Sequence, residues 1–186
     1  KYAEAGVVRL AHTLGQLLTL ARVEGRMRFD DGEPSEVAQV VELAVADSAA
    51  AQGQCQWPEV LPHVYLAMPR ELAITALRNL VDNALHHGPQ GGAITLHTAQ
   101  THRDITFTVH DQGPGVDEDT LAQLTQRFWR ASKQQGSGLG LAIVAAITQR
   151  FGGDVRFENA TSGGFCAHLR VPTVPVQTSK TITTEA

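Results

Sequence analysis

Apolar residues recur along this chain in two rhythms. Val7, Leu10, Ala11, Leu14, Leu17, Leu18 and Ala21 step by three and four, which predicts a helix over Lys1–Glu24 with one apolar stripe. A stripe of that kind needs a partner helix, from this chain or another. A second helix is expected over Glu36–Ala51, capped by Ser35, with Val37, Val40, Val41, Ala44 and Val45 inward. A third spans Arg70–His87 on Leu77, Leu80, Val81, Ala84 and Leu85. A fourth spans Ser137–Phe151 on Leu139, Leu141, Ile143, Val144 and Ile147, and Gly152–Gly153 stops it. The other rhythm has period two. Ile94, Leu96, Ile105, Phe107 and Val109 alternate through Ala93–Gln100 and Arg103–His110, a hairpin turning at Thr101–His102. Asp154–Glu158 and Gly164–Val171 pair as a closing hairpin.

Weaker patterns fill the gaps. Gln54–Trp57, His63–Ala67 and Met27–Phe29 read as short strands, with Trp57 in the core. Val116–Gln126 reads as a short amphipathic helix, and Arg127–Ser137 as a mobile lid with Gly136 as hinge. Together the elements predict an α/β (α+β) two-layer sandwich. A mixed, mainly antiparallel sheet packs on three helices, and an isolated N-terminal helix precedes it. The expected division is 1–26 for that helix, 27–172 for the main domain and 173–186 for a tail without periodicity.

Composition narrows the function. A net charge of −4 over 186 residues argues against a general nucleic-acid binder, which wants a basic face. Two cysteines far apart, Cys55 and Cys166, build neither a disulfide framework nor a zinc site. No run approaches the roughly 18 apolar residues of a membrane span. A first residue other than Met, with helical sequence starting at once, reads as a piece of something longer.

The candidate chemistry gathers around Asp111–Gly115, D-Q-G-P-G, where the second long strand stops. An ionised carboxylate only accepts hydrogen bonds, so beside a tight glycine turn it suits an amino group on a flat heterocycle. The same letters also serve as an ordinary turn. Asn79 and Asn83 share one face of the third helix, a turn before His86 and His87. They read either as solvated amides or, for Asn83, as an oxygen donor to Mg²⁺. Gly138 and Gly140 lead into a helix N-terminus, where bare N–H groups and the helix dipole favour phosphate. Arg130 and Lys133 are cations within reach of such phosphates.

Asn79–Gly88 (N-L-V-D-N-A-L-H-H-G), Asp111–Gly115 and Gly136–Leu141 (G-S-G-L-G-L) resemble, in this order, the N, G1 and G2 boxes of sensor histidine kinases. Arg127–Arg130 (R-F-W-R) looks like that family's F box. The resemblance covers nearly the whole chain. It implies the ATP-binding fold shared with gyrase B, the heat-shock ATPases and the mismatch-repair ATPases. It implies ATP and Mg²⁺ as cofactors, with Asn83 as metal ligand and Asn83 and Arg130 as catalytic. The nucleotide contacts it implies are Asn79, Asn83, His86, His87, Asp111, Gly113, Gly115, Phe128, Arg130, Lys133, Gly136, Ser137, Gly138, Leu139, Gly140 and Leu141. His86 and His87 stand where the family commonly has Lys and Tyr.

Lys1–Glu24 resembles the second helix of the family's dimerisation and phosphoacceptor hairpin. The first helix, with the phosphorylated histidine, has no counterpart here, and His12 is not the acceptor. The resemblance further implies a homodimer in the full-length protein and a response regulator as phosphoryl recipient. It also implies a cytoplasmic domain anchored to the inner membrane through upstream segments. The related ATPases place a water-activating Glu where this chain has Asn79, which favours transfer to a better nucleophile, a neutral imidazole, over hydrolysis. A degenerate domain acting through nucleotide or protein contacts is the alternative. An anti-sigma-factor kinase on the same fold is a third reading, disfavoured by the N-terminal helix.

Overall fold

The computed structural model describes residues 2–25, 34–46, 48, 53–89, 91–129 and 137–174. In chain order the elements are α1 (Tyr2–Glu24), β1 (Pro34–Glu36), α2 (Val37–Ala46), β2 (Cys55–Gln56), β3 (Tyr65–Pro69) and α3 (Arg70–His87). Then come β4 (Ile94–Gln100), β5 (Asp104–His110), α4 (Glu118–Leu121), α5 (Gly140–Arg150), β6 (Asp154–Asn159) and β7 (Phe165–Val174).

The sheet runs β1-β3-β7-β5-β4-β2, and β6 joins β7 along its first half. Every pairing is antiparallel except β2 with β4. Period-two alternation does the sorting. Ile94, Leu96, Ile105, Phe107, Val109, Ala167, Leu169 and Val171 turn to one face and are buried there. The helices α2, α3 and α5 cover that face with Val37, Val41, Ala76, Leu77, Leu80, Val81, Ile143, Val144 and Ile147. The opposite face is polar. Arg170 bridges Asp154 and Asp104, and Thr108, His168 and Glu158 form a hydrogen-bonded row. The two-layer sandwich is therefore as expected, with α3 matching its expected bounds.

Four local expectations change. Ser35 does not cap α2. Its Oγ donates to the Met68 carbonyl at 3.0 Å, because Pro34–Glu36 pairs with β3 as a strand. The helix then begins at Val37 and ends at Ala46, not Ala51. Trp57 is 41 % exposed, since β2 is a two-residue edge strand that leaves its neighbours outside the core. Val116–Gln126 holds only the single turn Glu118–Leu121. Asp117 caps it by accepting from the Thr120 N–H at 2.7 Å, and the chain continues in turns. The closing strand runs on to Val174, two residues past the expected domain end. Met27–Phe29 and residues 175–186 lie outside the described residues.

The N-terminal helix divides by face. Val7, Leu10, Leu14 and Leu18 are more than half exposed, so the stripe read from the sequence has no partner among the described residues. Leu20 and Val23 are buried, and with them the end of α1 lies against α5. Arg150 on α5 donates to the carbonyls of Val23 at 2.7 Å and Arg22 at 3.3 Å, a cation placed at the negative end of α1. Arg127 pairs with Glu24, and Ser137 with Gln16, so α1 touches both flanks of the stretch between them.

Candidate functional site

β5 delivers Asp111 to the point where the strand gives way to the glycine turn. Its backbone N–H donates to the Phe165 carbonyl at 3.0 Å. Its Oδ1 accepts from Gly113 N–H at 2.7 Å and from Phe165 N–H at 3.3 Å. The residue is 2 % exposed, and Oδ2 is buried without a hydrogen-bond partner. Leaving a buried acceptor unpaired costs about 1–3 kcal/mol, more for a charged one. Asp111 lines a cavity of about 200 Å³ together with Gln54, Ala84, Leu85, Pro89 and Ile94. A mainly apolar slot with one aimed acceptor suits a flat ring bearing an amino group.

The end of α3 closes over the turn. A side-chain carbon on Gly113 would stand 3.0 Å from the His87 carbonyl, so the two segments meet through bare backbone. Asn79 and Asn83 do different things. Asn79 Nδ2 donates to the Thr75 carbonyl at 2.8 Å, one turn back. Its Oδ1 lies against Gly140, where an added Cβ would come within 2.8 Å, so the two helices touch there. Asn83 is half-buried, and its carboxamide has no recorded hydrogen bond among the described residues. Such a carboxamide oxygen is the donor type that Mg²⁺ takes.

His86 and His87 end the same helix, both exposed. His86 Nδ1–H donates to the Asp82 carbonyl at 2.8 Å, which turns the ring back along its own helix. The His87 imidazole is pushed below its ordinary value by partial burial first and by His86 second, against the pull of the Asp111 carboxylate.

The third segment is the approach to α5. Phe128 is 60 % exposed with φ 61°, a left-handed conformation uncommon for an aromatic residue, and its N–H donates to the Gly138 carbonyl at 2.9 Å. The Ser137 hydroxyl accepts from Leu139 N–H at 3.1 Å while donating to Gln16. The Leu139 side chain is fully buried and Leu141 is packed at the core edge, so only their backbones remain for a ligand. The first intrahelical bond runs from Ile143 N–H to the Leu139 carbonyl. The amides of residues 140–142 therefore have no helical acceptor, which makes this helix start a fit for phosphate. Gly115 sits at the far end of the Asp111 turn with φ 73°. Arg130, Lys133 and Gly136 lie outside the described residues.

The cavity also contains residues not anticipated from the sequence. Ala84 and Leu85 lie in the last two turns of α3 and were legible there only as core. Gln54 gave no signal. It reaches the wall because its carbonyl accepts from Ile94 N–H at 2.7 Å as β2 joins β4.

The profile of the histidine kinase-, DNA gyrase B- and HSP90-like ATPases matches residues 69–175. The chain belongs to this family. Within it, the chain is similar to sensor kinases. It is 35 % identical over 174 residues to the sensor protein QseC of Salmonella typhi, covering 89 % of this chain and 37 % of that protein. It is 40 % identical over 159 residues to the signal transduction histidine-protein kinase AfsQ2 of Streptomyces coelicolor, covering 80 % and 29 % respectively. Among solved structures, the mycobacterial sensor histidine kinase MprB superposes with a TM-score of 0.69 at 25 % identity, covering 77 % of this chain and 99 % of that one. The chain thus carries an ATP-binding catalytic domain of the sensor histidine kinase kind, and spans about a third of the length of those two curated relatives.

Proposed function

We propose that this chain binds ATP with Mg²⁺ and passes the γ-phosphoryl group to a histidine on a separate helix, for relay to a response regulator. The observation that carries the reading is the buried, unpartnered Oδ2 of Asp111, a residue that lines the cavity. The exocyclic amine of adenine donates to that oxygen, and the ring fills the slot between Ala84, Leu85 and Ile94. The phosphates then extend toward the start of α5, where the amides of residues 140–142 receive them. Arg130 and Lys133 add positive charge. Asn83 would hold Mg²⁺ through its carboxamide oxygen, and the ion would offset negative charge on the phosphates.

The transfer itself asks little covalent chemistry of the protein. A neutral imidazole nitrogen forms the N–P bond as the bond from the γ-phosphorus to the bridging oxygen breaks. ADP leaves with that electron pair, and the ring proton passes to solvent. Asn79 has no basic function at neutral pH, and its amide is engaged with Thr75. Water therefore goes unactivated, and a nucleophile that needs no base has the advantage.

On this reading residues 1–26 are the second helix of a dimerisation hairpin, and the catalytic domain runs from 27 through the end of β7 at Val174. The bare stripe of α1 then meets the rest of a four-helix bundle from its own hairpin and a second copy. The domain works on the cytoplasmic side of an inner-membrane protein. No described helix is long and apolar enough to cross a membrane. The test is incubation with γ-labelled ATP and Mg²⁺, alone and with the phosphoacceptor hairpin supplied separately. The expected result is acid-labile phosphate on the hairpin and none on this chain. Label on this chain alone, or none on the hairpin despite nucleotide binding, overturns the proposal.

A further inference from the structure

We propose that Asn159 is a positioning residue for the base-binding carboxylate; this rests on the nucleotide reading above. Asn159 is the last residue of β6, and its side chain makes two hydrogen bonds to one distant residue. Its Oδ1 accepts from Val116 N–H at 2.9 Å, and its Nδ2 donates to the Val116 carbonyl at 2.6 Å. A carboxamide that satisfies both backbone groups of one residue fixes that residue in position and in rotation. Gly115 permits the approach, since a Cβ there would stand 2.5 Å from Asn159 Oδ1.

The β6–β7 register gives this clamp its meaning. Asn159 pairs directly with Phe165. Phe165 in turn holds Asp111 through its carbonyl and its N–H. One cross-strand pair thus grips both ends of the turn from Asp111 to Val116. A third tie runs from His110 Nε2–H to the Gly163 carbonyl at 3.0 Å, just before Phe165. The D-Q-G-P-G turn is spanned by a hairpin about fifty residues later in the chain, and the free Oδ2 of Asp111 is aimed by that frame. Beyond Val116 the chain enters the capped turn of α4 at once, so Val116 is the last point at which the frame controls the turn.

Asn159 is itself exposed and touches no wall of the cavity, so its effect passes through Val116 to Asp111. The clamp keeps Oδ2 pointed at the base edge in the free protein, and ligand binding then has less ordering to do. Its loss affects ligands that use the base and spares ligands that use only the phosphate end.

The test compares wild type, Asn159→Ala and Asn159→Asp by titration calorimetry with ADP, GDP and inorganic tripolyphosphate, alongside thermal unfolding without ligand. Asn159→Asp keeps the acceptor and loses the donor. Two neutral hydrogen bonds of ordinary strength predict that Asn159→Ala weakens ADP about tenfold or more, with Asn159→Asp in between. The preference for ADP over GDP narrows and tripolyphosphate affinity stays at the wild-type value, while the unliganded midpoint falls only by the few degrees that two lost hydrogen bonds cost. Unchanged ADP affinity in Asn159→Ala overturns the proposal, and so does an equal loss for ADP and tripolyphosphate. Failure of wild type itself to bind ADP would instead refute the nucleotide reading.

Discussion

Gly163 and Gly164 offer a matched pair of substitutions that separates backbone strain from steric contact. Both have positive φ, +90° and +94°. An added Cβ on Gly163 meets nothing within 4 Å, whereas on Gly164 it lands 1.9 Å from the Asp111 carbonyl oxygen. Gly163→Ala therefore carries strain alone, about 1–3 kcal/mol. Gly164→Ala carries the same strain plus overpacking against backbone that cannot rotate away, a further cost of about 1–3 kcal/mol. Against a total stability of about 5–15 kcal/mol the second change is severe. At about 3 °C per kcal/mol for a domain of this size, the melting point falls roughly 3–9 °C for Gly163→Ala and roughly 6–18 °C for Gly164→Ala. The assay is thermal unfolding by circular dichroism, followed by ADP titration of whichever variants remain folded. Gly164→Ala also weakens ADP, because the Asp111 backbone must shift, while Gly163→Ala does not. Equal melting-point losses in the two variants would refute the contact at Gly164 and the framing of Asp111 by the hairpin.

Other consequences are simpler to read. Leu10→Glu and Leu14→Glu, at positions 71 % and 56 % exposed, change stability by no more than about 0.5 kcal/mol in urea unfolding. Leu20→Ala, at a buried position, loosens α1, read as faster amide exchange along its second half. Because His87 titrates below 6.5 when folded, the unfolded chain takes up its proton first. Stability from this residue is complete above 6.5 and is lost progressively as pH falls from there through the lower folded value. The melting point of wild type thus drops more than that of His87→Gln between pH 7.5 and 5.5, and equal drops would remove the effect. The Cys55 thiol is buried and pushed up to about 11, so it resists a thiol reagent at pH 8 until the protein unfolds.

The helices were legible where periodicity and punctuation agreed. α3 starts at Pro69 and stops at Gly88, and a continuous apolar face lies between, so local rules sufficed. They failed where a distant strand competed. Ser35 is a good capping residue, yet its hydroxyl goes to Met68 because β1 pairs with β3, a choice that no window around Ser35 contains. The same holds for the site. Asp111 was visible as a carboxylate at a glycine turn, but its burial and its orphaned oxygen depend on Phe165 in β7. The stripe on α1 was clear from its period, whereas the docking face of the same helix was not. Leu20 and Val23 are only two residues, and their partner α5 lies more than a hundred residues on.

On the proposed reading, Asp111 Oδ2 recognises the base of a nucleotide. Its most direct test is calorimetric titration of wild type and Asp111→Asn with ADP and a slowly hydrolysed ATP analogue, with and without Mg²⁺. Asn keeps an oxygen for the Gly113 and Phe165 N–H groups but presents a donor where the base needs an acceptor. A lost hydrogen bond to a charged group, about 1.5–3 kcal/mol, predicts roughly a tenfold to hundredfold weaker complex in a variant that stays folded. Wild-type affinity in folded Asp111→Asn, or no binding by folded wild type, would contradict the account.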